Sequence, residues 1–169
     1  RSFGTEYDDE TAIRKSIEEG LVDPSHSVQL GIRGGYYSRQ ERDYGKELGL
    51  EVLTASQIHE MNRKDVIDAI KNKTGGLPCF ISIDLSFLDP AFAPGVTNPV
   101  SGGMASIDIR QIVRDIFLSL DIKAADIVGL TPAYDPGHIT AQLVHGLMCE
   151  MVCALAKRKE NLKGGRADA

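Results

Sequence analysis

Apolar and polar residues along this chain alternate with two different periodicities, which predict strands and helices in turn. Short apolar runs predict four strands, at residues 28–32, 51–54, 79–85 and 127–130. Segments with helical spacing predict six helices, at residues 10–19, 38–48, 56–61, 64–73, 107–120 and 138–159. This alternation predicts parallel strands joined by right-handed helical crossovers.

The order of these elements predicts an α/β fold, a three-layer αβα domain with a mostly parallel sheet. Residues 79–85 form the most apolar strand, as expected for a strand that is covered on both faces. The 169 residues suffice for one domain, which we assign to residues 1–162, with residues 163–169 as a flexible tail. Four strands are few for such a sheet. We therefore expect a larger sheet, completed by upstream sequence or by another chain.

Composition and charge narrow the classes of function. The chain is 42% hydrophobic and 25% charged, which is typical of a globular protein. The net charge of −5 without a basic stripe argues against binding of nucleic acid. The sequence has no uninterrupted apolar stretch that approaches the length needed to cross a bilayer, so no membrane span is predicted.

The three cysteines favour a reducing compartment. Cys149 and Cys153 lie four residues apart on the last predicted helix, so they share one face of it, and we expect both in the core. A cytoplasmic location is the prediction, with a mitochondrial one as the alternative.

Asp84 is the strongest candidate for a functional residue. It lies at the end of an apolar strand and is followed by a loop rich in Pro and Gly. In an open parallel sheet, metals and ligands bind beyond the carboxyl ends of the strands. A carboxylate there either binds a cation or caps a neighbouring turn, and the local pattern leaves both interpretations open.

Three nearby features favour structural roles. Asp89 precedes a proline and is interpreted as a turn former. Residues 33–35, Arg-Gly-Gly, follow a strand but lack the glycine spacing of phosphate-binding loops, so they are interpreted as a structural loop. His138 lies near the start of the last helix, where the helix dipole disfavours a charged imidazole, and is interpreted as structural.

The run of residues 82–95, Ser-Ile-Asp-Leu-Ser-Phe-Leu-Asp-Pro-Ala-Phe-Ala-Pro-Gly, resembles the second metal-binding motif of the ureohydrolases, the family of arginase and agmatinase. Residues 27–34 and 130–141 are similar to two further segments of that family. Residues 9–20 are similar to a segment that begins His-Gly-Thr in the family. The resemblance runs from Asp9 to Lys157 and is strongest to the C-terminal half of an agmatinase.

The resemblance implies a reaction, a cofactor and an assembly. Ureohydrolases use two Mn²⁺ ions to form hydroxide from a bridging water, which attacks the carbon of a guanidino compound and releases urea and an amine. Oxygen ligands and imidazole suit Mn²⁺. Relatives assemble as trimers or hexamers, so the resemblance implies a homo-oligomer with a small guanidino substrate.

Four positions of this chain bear on that chemistry. Where the family reads Asp-x-Asp, the chain retains Asp84 as a metal ligand and has Ser86 in place of the second carboxylate. Gly129 stands where the family has a Glu that faces the guanidinium, and Asp9 aligns with a family His that is a proposed proton shuttle. The motifs Gly-Gly-Asp-His and Asp-Ala-His-x-Asp, which lie upstream in relatives, are absent from this sequence.

These substitutions favour a non-catalytic family member, a pseudoenzyme with a structural or regulatory role. The alternative is an active guanidino hydrolase of the agmatinase type, whose other metal ligands lie in an N-terminal half outside this sequence. A third hypothesis is an altered pocket for a different small molecule without metals. Mn²⁺ is the cofactor expected from the family, and the altered positions argue against its binding.

Overall fold

The architecture is known from a computed structural model, which describes residues 11–35 and 38–164. These residues form six α-helices: α1 (Ala12–Glu18), α2 (Arg39–Glu47), α3 (Ala55–Glu60), α4 (Arg63–Thr74), α5 (Ser106–Ser119) and α6 (Ile139–Gly164). They also form four strands: β1 (Val28–Ile32), β2 (Glu51–Thr54), β3 (Cys79–Asp84) and β4 (Ile122–Val128).

The strands pair two by two. β1 is parallel to β2, and β3 is parallel to β4, and within the described residues the two pairs remain separate sheets. Parallel neighbours require a crossover between them. The crossover contains α2 in the first pair and α5 in the second. The predicted α/β class with parallel strands is confirmed.

Local capping signals explain why two helices lie within one residue of their predicted bounds. Thr54 and Gln57 form a reciprocal capping box at the start of α3. The Asn62 side chain accepts a hydrogen bond from the Asp65 amide at the start of α4. Gly75, with φ of 60°, ends α4 in the left-handed conformation.

A fourth strand is present, but its predicted bounds were wrong. Residues 127–130 were expected, whereas the strand is Ile122–Val128 and ends before Gly129, whose φ is 86°. The exposed side chains of Lys123 and Asp126 interrupt the apolar pattern of this segment. Backbone pairing with β3 defines the strand, and that pairing is a tertiary interaction that local patterning does not report.

The last helix extends two residues into the segment predicted as a tail. α6 ends at Gly164, and residues 165–169 lie outside the described residues. The division into a domain of residues 1–162 and a tail stays a prediction.

A single apolar cluster joins both sheets to the helices. Its buried members include Leu53, Val66, Ile83, Phe117 and Leu147. Successive residues of a strand point to opposite faces, and the burial of Ile83 identifies the face of β3 that contacts the cluster.

The other face of β3 is open. Phe80, Ser82 and Asp84 are all exposed, and the Phe80 side chain is 56% exposed. The prediction that β3 is covered on both faces was therefore wrong for the described residues. Helices cover one side of the β3–β4 pair and leave the alternate side chains of β3 in solvent.

α6 is apolar on more than one side. Leu147, Met151 and Ala154 are buried, while Met148 and Val152 are exposed. By length and composition alone, residues 136–162 suffice to cross a membrane, with 22% of the apolar window buried. A core helix passes the same test, so the expectation of no membrane span stays a prediction.

Both cysteines of α6 are exposed, contrary to the prediction that they are core residues. They share the apolar spacing of the helix, which is why the sequence indicated burial. No described element covers them.

A charge cluster fastens α5 to α6. Arg114 donates through Nε to Oε2 of Glu150 at 2.8 Å and through Nη2 to Oε1 at 2.7 Å. Arg110 donates through Nη2 to Oε1 at 2.8 Å. The hydrogen bonds from Arg114, and to a smaller extent that from Arg110, lower the pKa of the largely buried Glu150 carboxyl to about 2.

We expect Glu150→Gln to lower the free energy of unfolding by about 1–2 kcal/mol at neutral pH, because charge-assisted hydrogen bonds are lost. The folded pKa lies below that of the unfolded chain. The stabilisation is therefore present above about pH 5 and is lost as the pH falls towards about 2. Urea denaturation of both proteins from neutral to acidic pH measures this effect. A difference that did not shrink on acidification would contradict it.

Candidate functional site

Asp84 lies at the carboxyl end of β3, as the sequence predicted. Its Oδ1 accepts a hydrogen bond from the Ser86 amide at 2.8 Å, which caps the short 3-10 turn Leu85–Phe87. Its Oδ2 accepts no hydrogen bond from the described part of the chain, and the residue is exposed. One oxygen of Asp84 therefore organises the loop, and the other is available to solvent.

The pairing of β3 with β4 brings Gly129 to the same place. Asp84 lies opposite Val128 in the parallel register, and Gly129 follows directly. A Cβ atom on Gly129 would lie 2.8 Å from Oδ1 of Asp84. Asp84, Ser86 and Gly129 therefore meet at one edge of the sheet. Asp9, the fourth predicted position, lies outside the described residues.

Arg33 anchors the loop that follows Asp84. Its Nη2 donates to the carbonyl oxygens of Ser86 at 2.5 Å, Leu88 at 2.9 Å and Val100 at 2.8 Å. Nη1 donates to the Phe87 carbonyl at 3.3 Å. The guanidinium holds both ends of the loop against the end of β1. These contacts agree with a structural role for residues 33–35, and the sequence carried no signal of the partners.

Asp89 is a turn former, as predicted. Oδ1 accepts from the Ala91 amide at 2.9 Å, and Oδ2 accepts from the Gly102 amide at 2.8 Å. These backbone hydrogen bonds lower the pKa of the Asp89 carboxyl. The bond from Gly102 closes the loop on itself, because Gly102 lies 13 residues after Asp89 in sequence.

The start of α6 supports the same loop from the other side. Asp135 accepts from the amides of Thr140 at 2.8 Å and Ala141 at 2.9 Å, and the Thr140 hydroxyl accepts from the Gly95 amide at 2.8 Å. A Cβ on Gly95 would lie 2.6 Å from Cβ of Asp135, so only glycine fits there. His138 is exposed, and the contacts at the loop are made by its neighbours.

The described residues do not by themselves supply the donor set of a two-manganese centre. The described residues contain no group of three or more His, Cys, Asp and Glu side chains able to hold a metal ion. Asp84 is accompanied there by the neutral Ser86 hydroxyl and the side-chain-free Gly129. Divalent cations of this class require several oxygen or imidazole ligands.

Comparison of this chain with known protein families identifies the family to which it belongs. The model of the arginase family matches residues 1–153, so the chain belongs to the arginase family. The predicted family is confirmed.

Comparison with individual proteins is more specific than the match to the family. A guanidinopropionase of Pseudomonas aeruginosa is 38% identical over 158 residues, covering 93% of this chain and 49% of that protein. An agmatinase of Serratia proteamaculans is 38% identical over 156 residues, covering 92% and 48%. The chain therefore spans about half the length of the curated relatives it matches.

Solved structures give the same result for the fold. Proclavaminate amidino hydrolase from Streptomyces clavuligerus matches with a TM-score of 0.85 at 33% identity, covering 92% of this chain and 52% of that one. A hypothetical agmatinase from Burkholderia thailandensis matches with a TM-score of 0.78 at 37% identity, covering 88% and 44%. The predicted αβα fold of the arginase and agmatinase class is confirmed.

We expect Gly129→Ala to destabilise the protein by about 1 kcal/mol more than Gly76→Ala, because the new methyl group displaces the Asp84 carboxylate from its capping bond. Gly76 is the matched control, since its φ is also positive, at 77°, and its Cβ position is open. Urea denaturation of both variants measures the difference. Equal losses would contradict the close approach of Gly129 to Asp84.

Proposed function

We propose that this chain is a catalytically deficient ureohydrolase of the arginase family, with a structural or regulatory role. The observation that carries the proposal is Ser86, which takes the place of a carboxylate beside Asp84. Ser86 contributes its backbone amide to Asp84 and its backbone carbonyl to Arg33. This position therefore serves the loop and adds no charge to the site.

The charge at the site supports this proposal. A neutral hydroxyl cannot replace the charge of a carboxylate beside a divalent cation. Burial lowers the pKa of Arg33, and the nearby Asp89 and Asp84 carboxylates oppose that shift. The edge of the sheet thus holds a cation of its own near Asp84.

The absence of a side chain at Gly129 also supports the proposal. A carboxylate facing the substrate would pair with a guanidinium, and glycine offers only backbone atoms. The positive φ of Gly129 and its closeness to Asp84 mean that glutamate does not fit here without local rearrangement. Restoring the family residue at this position therefore requires a change in the backbone as well.

Manganese binding tests the role of Ser86. We expect Ser86→Asp to bind Mn²⁺ at least about tenfold more tightly than the parent chain, because two carboxylates then lie at the edge of the sheet. Ser82→Asp is the matched control, since Ser82 is exposed on the same face of β3 and precedes Asp84 by two residues. Electron paramagnetic resonance of free Mn²⁺ reports the affinities. Equal affinities of the two variants would contradict the assignment.

The effect of having Ser and Gly at these two positions can be tested in a complete enzyme. We expect Ser and Gly, placed in the Serratia proteamaculans agmatinase at the positions aligned with Ser86 and Gly129, to lower kcat/KM about 10²-fold or more each. Urea release from agmatine measures the loss, and circular dichroism verifies the fold. If either variant retained the parental rate, that position would not explain a deficiency.

The second candidate is an active guanidino hydrolase. It is favoured by the 38% identity to a guanidinopropionase and to agmatinases. Mn²⁺ would be the family metal, and its remaining ligands would lie outside this chain. Urea release from agmatine, arginine, guanidinobutyrate or guanidinopropionate decides between the two, provided that the Mn²⁺-supplemented protein also contains the N-terminal half that would carry those ligands. Turnover near an ordinary enzymatic rate, about 1 per second or faster, would overturn the proposal of deficiency.

The homo-oligomer and the cytoplasmic location stay predictions.

A further inference from the structure

The middle of α6 carries a histidine and two cysteines at regular spacing. His145, Cys149 and Cys153 follow one another at intervals of four residues, and residues four apart are neighbours on the surface of a helix. Sγ of Cys149 lies 3.7 Å from Nε2 of His145. All three side chains are exposed, and both cysteines are free thiols. We call His145 and Cys149 the imidazole–thiol pair.

The thiol of this pair points away from the elements that pack against α6. Met151 lines the groove between α6 and β4, and Glu150 accepts hydrogen bonds from α5. Because successive residues of an α-helix turn by about 100°, Cys149 lies about 160° round the axis from Met151 and about 100° from Glu150. The Cys149 side chain therefore faces outward from the sheet and from α5.

The imidazole–thiol pair is separate from the candidate site at the edge of the sheet. Thr140, whose hydroxyl accepts from the Gly95 amide, marks the end of α6 that contacts the loop of that site. Cys149 follows nine residues later, about 14 Å further along the helix axis. A ligand of the pair is therefore held independently of Asp84 and Ser86.

We propose that His145 and Cys149 form a binding site for Zn²⁺, with Nε2 and Sγ as its two protein ligands. Because Zn²⁺ bonds are about 2.3 Å to sulfur and about 2.0 Å to nitrogen, two ligands of one tetrahedral ion lie about 3.5 Å apart. The separation of 3.7 Å in α6 is close to that value. Cys149 releases its proton to water as Sγ binds the ion.

The chemical types of the two ligands select the metal. Thiolate and imidazole suit Zn²⁺, whereas carboxylate and carbonyl oxygens suit Mn²⁺ and Mg²⁺. Two side chains at positions i and i+4 of one helix also hold Zn²⁺ in metalloproteases, where both are histidines. The proposal does not depend on the proposed loss of catalysis, because neither ligand lies at the edge of the sheet.

The number of ligands sets the strength of binding. The imidazole–thiol pair is smaller than a group of three or more ligands, and no such group occurs in the described residues. Two protein ligands leave two positions of a tetrahedral ion to water. We therefore expect weaker binding than at closed sites with four protein ligands.

Calorimetric titration of the reduced 169-residue chain with Zn²⁺ tests the proposal. We expect Cys149→Ser and His145→Gln each to weaken binding at least about tenfold, because each removes one of two ligands. Cys79→Ser and His59→Gln are the matched controls, since Cys79 begins β3 and the exposed His59 lies on α3. Both controls should leave the affinity unchanged. A parental affinity no higher than that of Cys149→Ser would overturn the proposal.

Cobalt identifies the sulfur ligand, because Co²⁺ in place of Zn²⁺ gives a charge-transfer absorption band when a thiolate binds it. We expect the band in the parent and in Cys153→Ser, and its loss in Cys149→Ser. Cys149→His should lose the band and still bind Zn²⁺ within about threefold of the parent, since two histidines four residues apart remain a ligand pair. Circular dichroism verifies that each variant is folded. A band lost in Cys153→Ser and kept at parental intensity in His145→Gln would assign the ion to the two thiols and overturn the proposal.

Thermal unfolding tests the choice of metal. An ion that binds the folded chain and not the unfolded one raises the midpoint of unfolding. We expect Zn²⁺ to raise this midpoint in the parent and not in Cys149→Ser, and the same concentration of Mn²⁺ to have no effect that depends on Cys149. An equal rise with both ions, abolished in both cases by Cys149→Ser, would overturn the assignment to Zn²⁺.

Discussion

The parallel register of β3 on β4 is the constraint on which the site depends. It places Val128 opposite Asp84, so that the chain leaves β4 through Gly129 at the carboxylate. The resulting approach, 2.8 Å from Oδ1 of Asp84 to a Cβ position on Gly129, admits glycine alone without rearrangement. Two segments 45 residues apart in sequence thereby form one edge, and the side chains at that edge set the charge of the site.

Hydrogen bonds to backbone groups hold the scaffold of this site. Arg33, Asp89 and Thr140 bond to backbone groups of the loop after β3, and Asp135 positions Thr140 at the start of α6. Those contacts need only donors and acceptors in the right places. Metal binding needs concentrated negative charge, and at this edge Asp84 provides the carboxylate.

The sequence by itself determined the elements that depend on local interactions. The bounds of α3 and α4 follow from capping residues within four positions of each helix end, and Asp84 was identified because a strand pattern gives way to turn residues there. The motif of residues 82–95 identified the family. These features depend on neighbours along the chain, which the sequence displays directly.

Only the tertiary structure decided the features that depend on distant partners. The bounds of β4 were set by pairing with β3, since Lys123 and Asp126 break the local apolar pattern. The exposure of Cys149 and Cys153 depends on which side of α6 is covered. Helical spacing alone predicts that the two cysteines share a face, and it does not predict whether another element packs against that face. The contacts of Arg33 join residues more than 50 positions apart. Hydrogen bonds over such separations leave no periodic signal, because any residue type supplies the backbone carbonyls that accept them.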